Sequence, residues 1–294
     1  MPTPDPHHDY VLDPTSVRRA FDRASHTFDS ASAVHTEIRR RLIERLDVMR
    51  IEPACVLDLG AGTGQSSREL KRRYRGAQVI AADLSPAMLN IAANRSGFLQ
   101  RFARIAADAQ KLPLRDGSVD LVFSNLMLQW LAQPDVAIVE ARRVLKPLGL
   151  FTFTTLGPDS LRELRSAWGT ADNGQHVHAF FDMHDIGDAL MRAGFMQPVM
   201  DTERLTITYR DWPALRNELQ KSGSTNLGQG RRRGLTGRTA QARALQTLFE
   251  MRKEGLIPIT LEVVYGHAWT GTTQKRMSNE IGIPVGAIAG RRDR

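Results

Sequence analysis

The sequence predicts an α/β fold built on a mostly parallel sheet, and three observations carry that prediction. From residue 51 to about 156, short apolar β-type runs alternate with amphipathic helical stretches, the order that βαβ units impose. The apolar run 56–59 ends in Gly60, Gly62 and Gly64, a glycine turn that opens into the next helix. Asp83, Asp108 and Asn125 then stand at the ends of successive apolar runs, where the ligands of such sheets gather.

Residues 1–15 are polar and proline-rich at their start and read as a disordered leader. Helical spacing begins at Ser16 and lasts to about Arg50, with Ala20, Phe21, Ala24 and Phe28, then Ile38, Leu42, Ile43 and Leu46, three or four residues apart. The first strand, 56–59, precedes a helix over 65–74. The second, 79–82, ends at Asp83, after which Ser85 is placed to cap a helix whose first turn holds Pro86. Residues 105–107 make a third strand before Asp108. After a turn at 115–118, residues 119–123 make a fourth. A helix from about 135 to 145 stops near Pro147, and residues 150–155 make the fifth strand. Beyond 157, helices are expected near 159–168 and 183–193, a strand at 205–209, helices near 212–221 and 238–253, and a β-rich run at 257–269. The chain thus divides into a leader with an N-terminal helical lid (1–50), one α/β domain with insertions after 157 (51–269), and a flexible basic tail (270–294).

At 294 residues the chain can bury a sizeable core, and 41% apolar with 24% charged residues is ordinary for a globular protein. No apolar run approaches the ~18 residues of a membrane span, and the N-terminus lacks a basic-then-apolar signal pattern, so no membrane and a cytoplasmic location are expected. The single Cys55 cannot form an intrachain disulfide and reads as a small buried hydrophobe. The net charge of +8 suits a nucleic acid or an acidic protein equally. His26, His35, His176, His178 and His184 lack metal-ligand spacing, so no metal is expected.

A dinucleotide turn would place its third glycine at position 65, which is Gln65. Asp83 ends the second strand, where a carboxylate can accept both hydroxyls of a ribose. Asp108 can accept an adenine amino group while the N–H of Ala109 meets a ring nitrogen, and Asn125 stands beside the remaining part of such a ligand. The series Asp58-Leu59-Gly60-Ala61-Gly62-Thr63-Gly64, Ala82-Asp83-Leu84-Ser85-Pro86, Leu112-Pro113-Leu114, Phe123-Ser124-Asn125 and Leu145-Lys146-Pro147-Leu148-Gly149 resembles class I S-adenosylmethionine-dependent methyltransferases. The resemblance implies a Rossmann-like, seven-stranded sheet with helices on both faces and an antiparallel last strand. It also implies S-adenosyl-L-methionine bound by Asp58, Gly60, Gly62, Gly64, Asp83, Leu84, Asp108, Ala109 and Asn125. One departure is Leu148, where many members have glycine.

The flanks narrow the resemblance. Phe21-Asp22-Arg23-Ala24, with Phe28-Asp29, is similar to a segment of the malonyl-[acyl-carrier protein] O-methyltransferases of biotin synthesis. So are Ser124-Asn125-Leu126-Met127-Leu128-Gln129-Trp130, Gly223-Ser224-Thr225-Asn226 and the run Ile259 to Gly266. That family implies methylation of the free carboxylate of a malonyl thioester, with malonate-loaded acyl-carrier protein as partner and no stable nucleic acid. Asn125, Gln129, Asn226 and Arg23 are the positioning candidates, with Arg216 a further anchor and no residue assigned a catalytic role. Where Phe28 stands, many relatives have tyrosine, and the tail after Trp269 has no counterpart in short members. The run Arg231-Arg232-Arg233 beside Gly223 is expected to attract an acidic carrier. A nucleic-acid methyltransferase would commonly carry an Asp/Asn-Pro-Pro-aromatic motif where Ser124-Asn125-Leu126-Met127 stands. Related assembly factors that modify a protein arginine use the same cofactor fold and remain an alternative, as does a small-molecule or RNA methyltransferase; the small-molecule enzymes share the sheet motifs but not the flanks.

Overall fold

The computed structural model describes residues 12–95, 101–172, 174–231, 234 and 236–272. Most of the leader, Arg232, Arg233 and the tail from 273 lie outside the described residues. In chain order the strands are β1 (Cys55–Leu59), β2 (Gln78–Asp83), β3 (Ala103–Ala106), β4 (Val119–Asn125), β5 (Leu145–Leu156), β6 (Phe195–Tyr209) and β7 (Ile257–Thr270). They form one sheet in the order β3-β2-β1-β4-β5-β7-β6. The first five are parallel, and β7 runs antiparallel to both β5 and β6. The strand order reverses between β1 and β4, so a crevice opens above their carboxyl ends.

The helices are α1 (Pro14–Ala24), α2 (Ala33–Arg45), α3 (Gln65–Arg73), α4 (Pro86–Arg95), α5 (Pro134–Val144), α6 (Arg162–Gly169), α7 (Met183–Arg192), α8 (Trp212–Lys221) and α9 (Arg238–Glu250). Alternating strand residues feed two cores, because successive side chains point to opposite faces. Leu121 and Phe123 of β4 pack with Ile38, Leu42 and Leu70 of α2 and α3. Val122, between them, packs on the other face with Ile138, Ala141 and Leu190 of α5 and α7. Each such buried side chain contributes about 1.5–3 kcal/mol. A smaller cluster of Leu164, Leu215, Leu248 and Ile259 ties α6, α8 and α9 to the far ends of β6 and β7.

Several boundaries differ from those expected. The first helix starts at Pro14, because the Asp13 carboxylate accepts from the N–H of Thr15 (3.2 Å) and Ser16 (3.0 Å), an N-cap followed by a first-turn proline. Leu12 is buried and bridged to Gly228, so residues 12–15 belong to the fold rather than to a leader. Strand β6 begins ten residues before Leu205. Pro198 and a run of charges hide it from the sequence, and an edge strand tolerates both, here with a bulge between Met196 and Val199. Cys55 is only half-buried, at the start of β1, and partial burial pushes its thiol up from the usual range. At the other end, Thr270 is anchored rather than part of a tail: its hydroxyl donates to Lys146 O (2.6 Å) and accepts from Gly149 N–H (2.8 Å). Leu148 lies in that turn with φ +59°, the left-handed region. No described helix is long and apolar enough to cross a membrane.

Candidate active site

The glycine turn is tied to β2 by its backbone: the N–H groups of Gly60 and Ala61 donate to Ala82 O at 2.8 and 3.0 Å. Asp83 completes the junction. Its Oδ2 accepts from Gly62 N–H at 2.7 Å and its Oδ1 from Ser85 N–H at 2.8 Å. Burial raises the Asp83 carboxyl above its ordinary range, and the two backbone donors oppose that shift. The three glycines have different duties. A Cβ on Gly60 would strike the Met127 side chain, and one on Gly64 would lie 2.8 Å from Ala92 Cβ and 2.9 Å from Phe102 Cζ. A Cβ on Gly62 would meet nothing within 4 Å, because that residue faces open space in the cleft.

Two cofactor candidates therefore sit behind the site rather than in it. Gly64 is a close-packing position between α3 and α4. Asp58 is buried and accepts from the Ser67 hydroxyl, joining β1 to α3. Burial pushes its carboxyl up to about 7, with the nearby Asp83 adding to the rise, while Ser67 and Arg39 pull it down. Neither residue lines the cleft. A strand's alternation explains Asp58: Leu59, one residue on, points the other way and does line it.

The cleft holds about 870 Å³ with its open mouth included. Gly60, Gly62, Asp83, Leu84, Asp108, Ala109 and Asn125 all line it, so seven of the nine expected cofactor contacts converge there. Asp108 turns Oδ1 onto Gln110 N–H (2.9 Å), which fixes its carboxylate at the rim. The roof comes from the N-terminal helices. Asp22 accepts from the Ser85 hydroxyl and fastens α1 over the start of α4. Phe21 stands edge-on to Trp130, ring centres 5.2 Å apart. Phe28 stands edge-on to His35 at 5.2 Å, a lid ring without a hydroxyl. His35, Met127 and Trp130 were not singled out as contacts by the sequence, although Met127 and Trp130 lie in a motif that was.

Asn125 spends its amide on the frame: Nδ2 donates to His35 O (3.3 Å) and Oδ1 accepts from the Thr154 hydroxyl (3.0 Å). It thereby holds α2 against β5. Beyond it, a second chamber of about 690 Å³ shares His35, Leu126 and Trp130 with the cleft. Gln129 lines this chamber, its Nε2 donating to Leu126 O at 2.8 Å. Across from it stand His178 and the pair in which the Tyr209 hydroxyl donates to Glu218 at 3.0 Å. Among the described residues, no arginine or lysine lines the chamber. Burial pushes both His35 and His178 down to about 4, aided by Arg39 and Arg165 respectively, so both rings are neutral near pH 7. His35 Nδ1 and His178 Nε2 are buried without a hydrogen-bond partner.

The other positioning candidates lie elsewhere. Arg23 is exposed on the outer side of α1, in a surface groove shared with Lys221, because helical periodicity turns it away when Ala20 and Ala24 face inward. Asn226 donates to Gln175 O (2.7 Å) and accepts from Gly228 N–H (3.0 Å), which commits it to the loop outside the chamber. Arg231 donates to Leu227 O at 3.2 Å and so helps build the same loop. Among the described residues no cluster of three or more His, Cys, Asp or Glu is placed to hold a metal.

A nucleoside-sized cleft over the switch point, a glycine open to it, carboxylates at two strand ends and an adjoining, mostly apolar chamber together define a class I methyltransferase, with S-adenosylmethionine as its cofactor. A methyltransferase-domain family profile matches residues 57–153. The chain is 45% identical to the malonyl-[acyl-carrier protein] O-methyltransferase of Laribacter hongkongensis over 284 residues, covering 94% of this chain and 96% of that protein. It is 46% identical to the enzyme of that name from a Methylovorus strain, covering 88% and 90%. It belongs to the malonyl-[acyl-carrier protein] O-methyltransferase family. The fold also matches solved structures at low identity. One is the YcgJ protein of Bacillus subtilis (TM-score 0.57, 16% identical, 79% of this chain and 98% of that one). Another is Haemonchus contortus phosphoethanolamine N-methyltransferase 2 (TM-score 0.52, 17%, 85% and 57%).

Proposed function

We propose that this protein esterifies the free carboxylate of a malonyl group carried as a thioester on acyl-carrier protein, an early step of biotin synthesis, in the cytoplasm. The observation that carries the reading is the inner chamber: apolar, joined to the cofactor cleft at His35, Leu126 and Trp130, and furnished, among the described residues, with neutral hydrogen-bonding groups and no cation.

Asp83, Asp108 and the open backbone at Gly62 are the groups that hold the nucleoside end of the cofactor. S-adenosylmethionine supplies a methyl group on a cationic sulfur, and its transfer to a carboxylate neutralises one charge on each partner. A malonyl carboxylate has a pKa of order 4 and is ionised near neutrality, so the protein needs no general base. Its tasks are orientation and exclusion of water, which together strengthen the attraction between the two charges. Neutral donors suit that work, because an arginine paired with the carboxylate would hold it while blunting its nucleophilicity. His35 and His178 have nitrogens available for it, and Gln129 has an amide in reach of the same space. Among the described residues Glu218 is the sole carboxylate lining the chamber and is engaged by Tyr209, which leaves little to bind a guanidinium and speaks against an arginine substrate. The product ester no longer carries the charge whose burial would cost chain-elongating enzymes several kcal/mol.

Incubation with S-adenosylmethionine and purified malonyl-carrier protein, followed by mass spectrometry, tests the reading. A gain of one methyl on the acyl group is expected, and its absence with active cofactor binding overturns it.

A further inference from the structure

A third cavity, of about 740 Å³, borders the inner chamber and has no lining residue in common with the cofactor cleft among the described residues. It shares Leu161, His178, Leu219 and Ser224 with that chamber, a ring of four residues that borders both spaces. Its wall is rigid: Trp168 stacks on His176 with ring centres 4.3 Å apart, and His176 is held in turn by Asp172 at 2.8 Å. Arg216 is exposed at its rim, without an ion-pair partner among the described residues. At the ring, His178 is 5% exposed and its buried Nε2 lacks a hydrogen-bond partner, in a residue that borders both spaces. Buried polar groups are ordinarily satisfied, so this one calls for a ligand.

A carrier-bound acyl group ends a long arm of amides linked to a phosphate, and its thioester must reach a cleft that the N-terminal helices cover. We infer that the outer groove and the ring at its base are the path of that arm, with the phosphate against Arg216 and the thioester carbonyl at His178; this rests on the malonyl thioester reading above. Cofactor and acyl substrate then occupy separate spaces and meet at His35. Asn226 and Ser224, both lining the groove, face the amide portion of the arm. The sequence segment Gly223 to Asn226 thus serves the arm rather than the carboxylate.

Two variants test the path. Ser224→Trp should plug the ring and lower kcat/KM for malonyl-carrier protein at least about tenfold while calorimetric affinity for S-adenosylmethionine stays normal; Ser224→Leu replaces it if the larger side chain prevents folding. Wild-type turnover in a folded plug variant would overturn the path. Arg216→Glu should lower the ratio of kcat/KM for malonyl-carrier protein to that for malonyl-N-acetylcysteamine, which lacks a phosphate, by about tenfold, the scale of one charge-assisted contact. Malonyl-coenzyme A, which has the phosphate but no carrier protein, should show the same drop. An unchanged ratio, or a drop confined to the carrier protein, would overturn the placement of the phosphate. Failure of the wild-type protein to methylate malonyl-carrier protein at all would instead overturn the functional reading.

Discussion

The carboxylate of Asp83 and the backbone N–H of Gly62 are hydrogen-bonded at 2.7 Å, so the residue best placed to meet the ribose also shapes the turn that the cofactor lies against. On the proposed reading, recognition and scaffold fall to the same group, and that changes what its removal should do.

Asp83→Ala should weaken S-adenosylmethionine binding by about 2–3 kcal/mol and lower stability as well, by about 1–3 kcal/mol, because Gly62 and Ser85 lose their acceptor. Calorimetry and urea unfolding separate the two effects. Unchanged affinity in the folded variant would remove Asp83 from the site.

Gly62→Val should leave the circular dichroism nearly native and abolish cofactor binding, since its side chain projects into the open cleft at the cost only of local strain at φ +53°. Gly64→Val should do the opposite in order of severity. Its Cβ meets Ala92 and Phe102, so loss of stability should precede any measurable binding defect.

Asp58→Asn should gain stability relative to the wild type as pH rises. The folded-state carboxyl is raised to about 7, above its unfolded value of 3.8. Its contribution is therefore present below the unfolded value and lost as pH climbs through about 7. Unfolding midpoints at pH 5 and pH 8 should favour the variant more at pH 8. His35 and His178 act with the opposite sign: both are lowered to about 4, so their contribution is present above 6.5 and lost as pH falls through 4.

Leu148→Gly should stabilise the protein by about 1 kcal/mol, because Leu148 is 62% exposed and holds φ +59° without a packing return. Thermal unfolding reads this directly. A lower melting temperature would show that the leucine side chain makes a contact worth more than the strain.

The sheet was legible because its signals are local. A glycine turn, an acid at a strand end and a serine–proline helix start each act within a few residues, and the expected strands β1, β2, β4 and β7 fall within a few residues of those found. Asp58 lies behind the cleft for a reason of the same kind: motif spacing identifies the turn, while alternation along β1 decides which neighbour faces the cleft. Arg23 fails similarly by helical phase. The first ten residues of β6 were hidden because an edge strand can carry proline and charge. His35 and His178 were illegible as site residues because their neutrality comes from burial between elements far apart in the chain, which no spacing records.

The N-terminal roof is seated on a small apolar cluster of its own. Leu12, Val17 and Ala20 pack on Leu227, and the cluster also touches Leu84, the residue after Asp83. The roof's seat and the cofactor's seat are therefore adjacent parts of one surface, and each ligand of that surface favours the other by linkage. Opening of α1 should be a local event, cheaper than global unfolding, and amide exchange across residues 14–24 should slow when S-adenosylmethionine binds. Where release of the spent cofactor is coupled to this segment, turnover is governed by how often a short helix leaves its bed and not by how fast a methyl group moves.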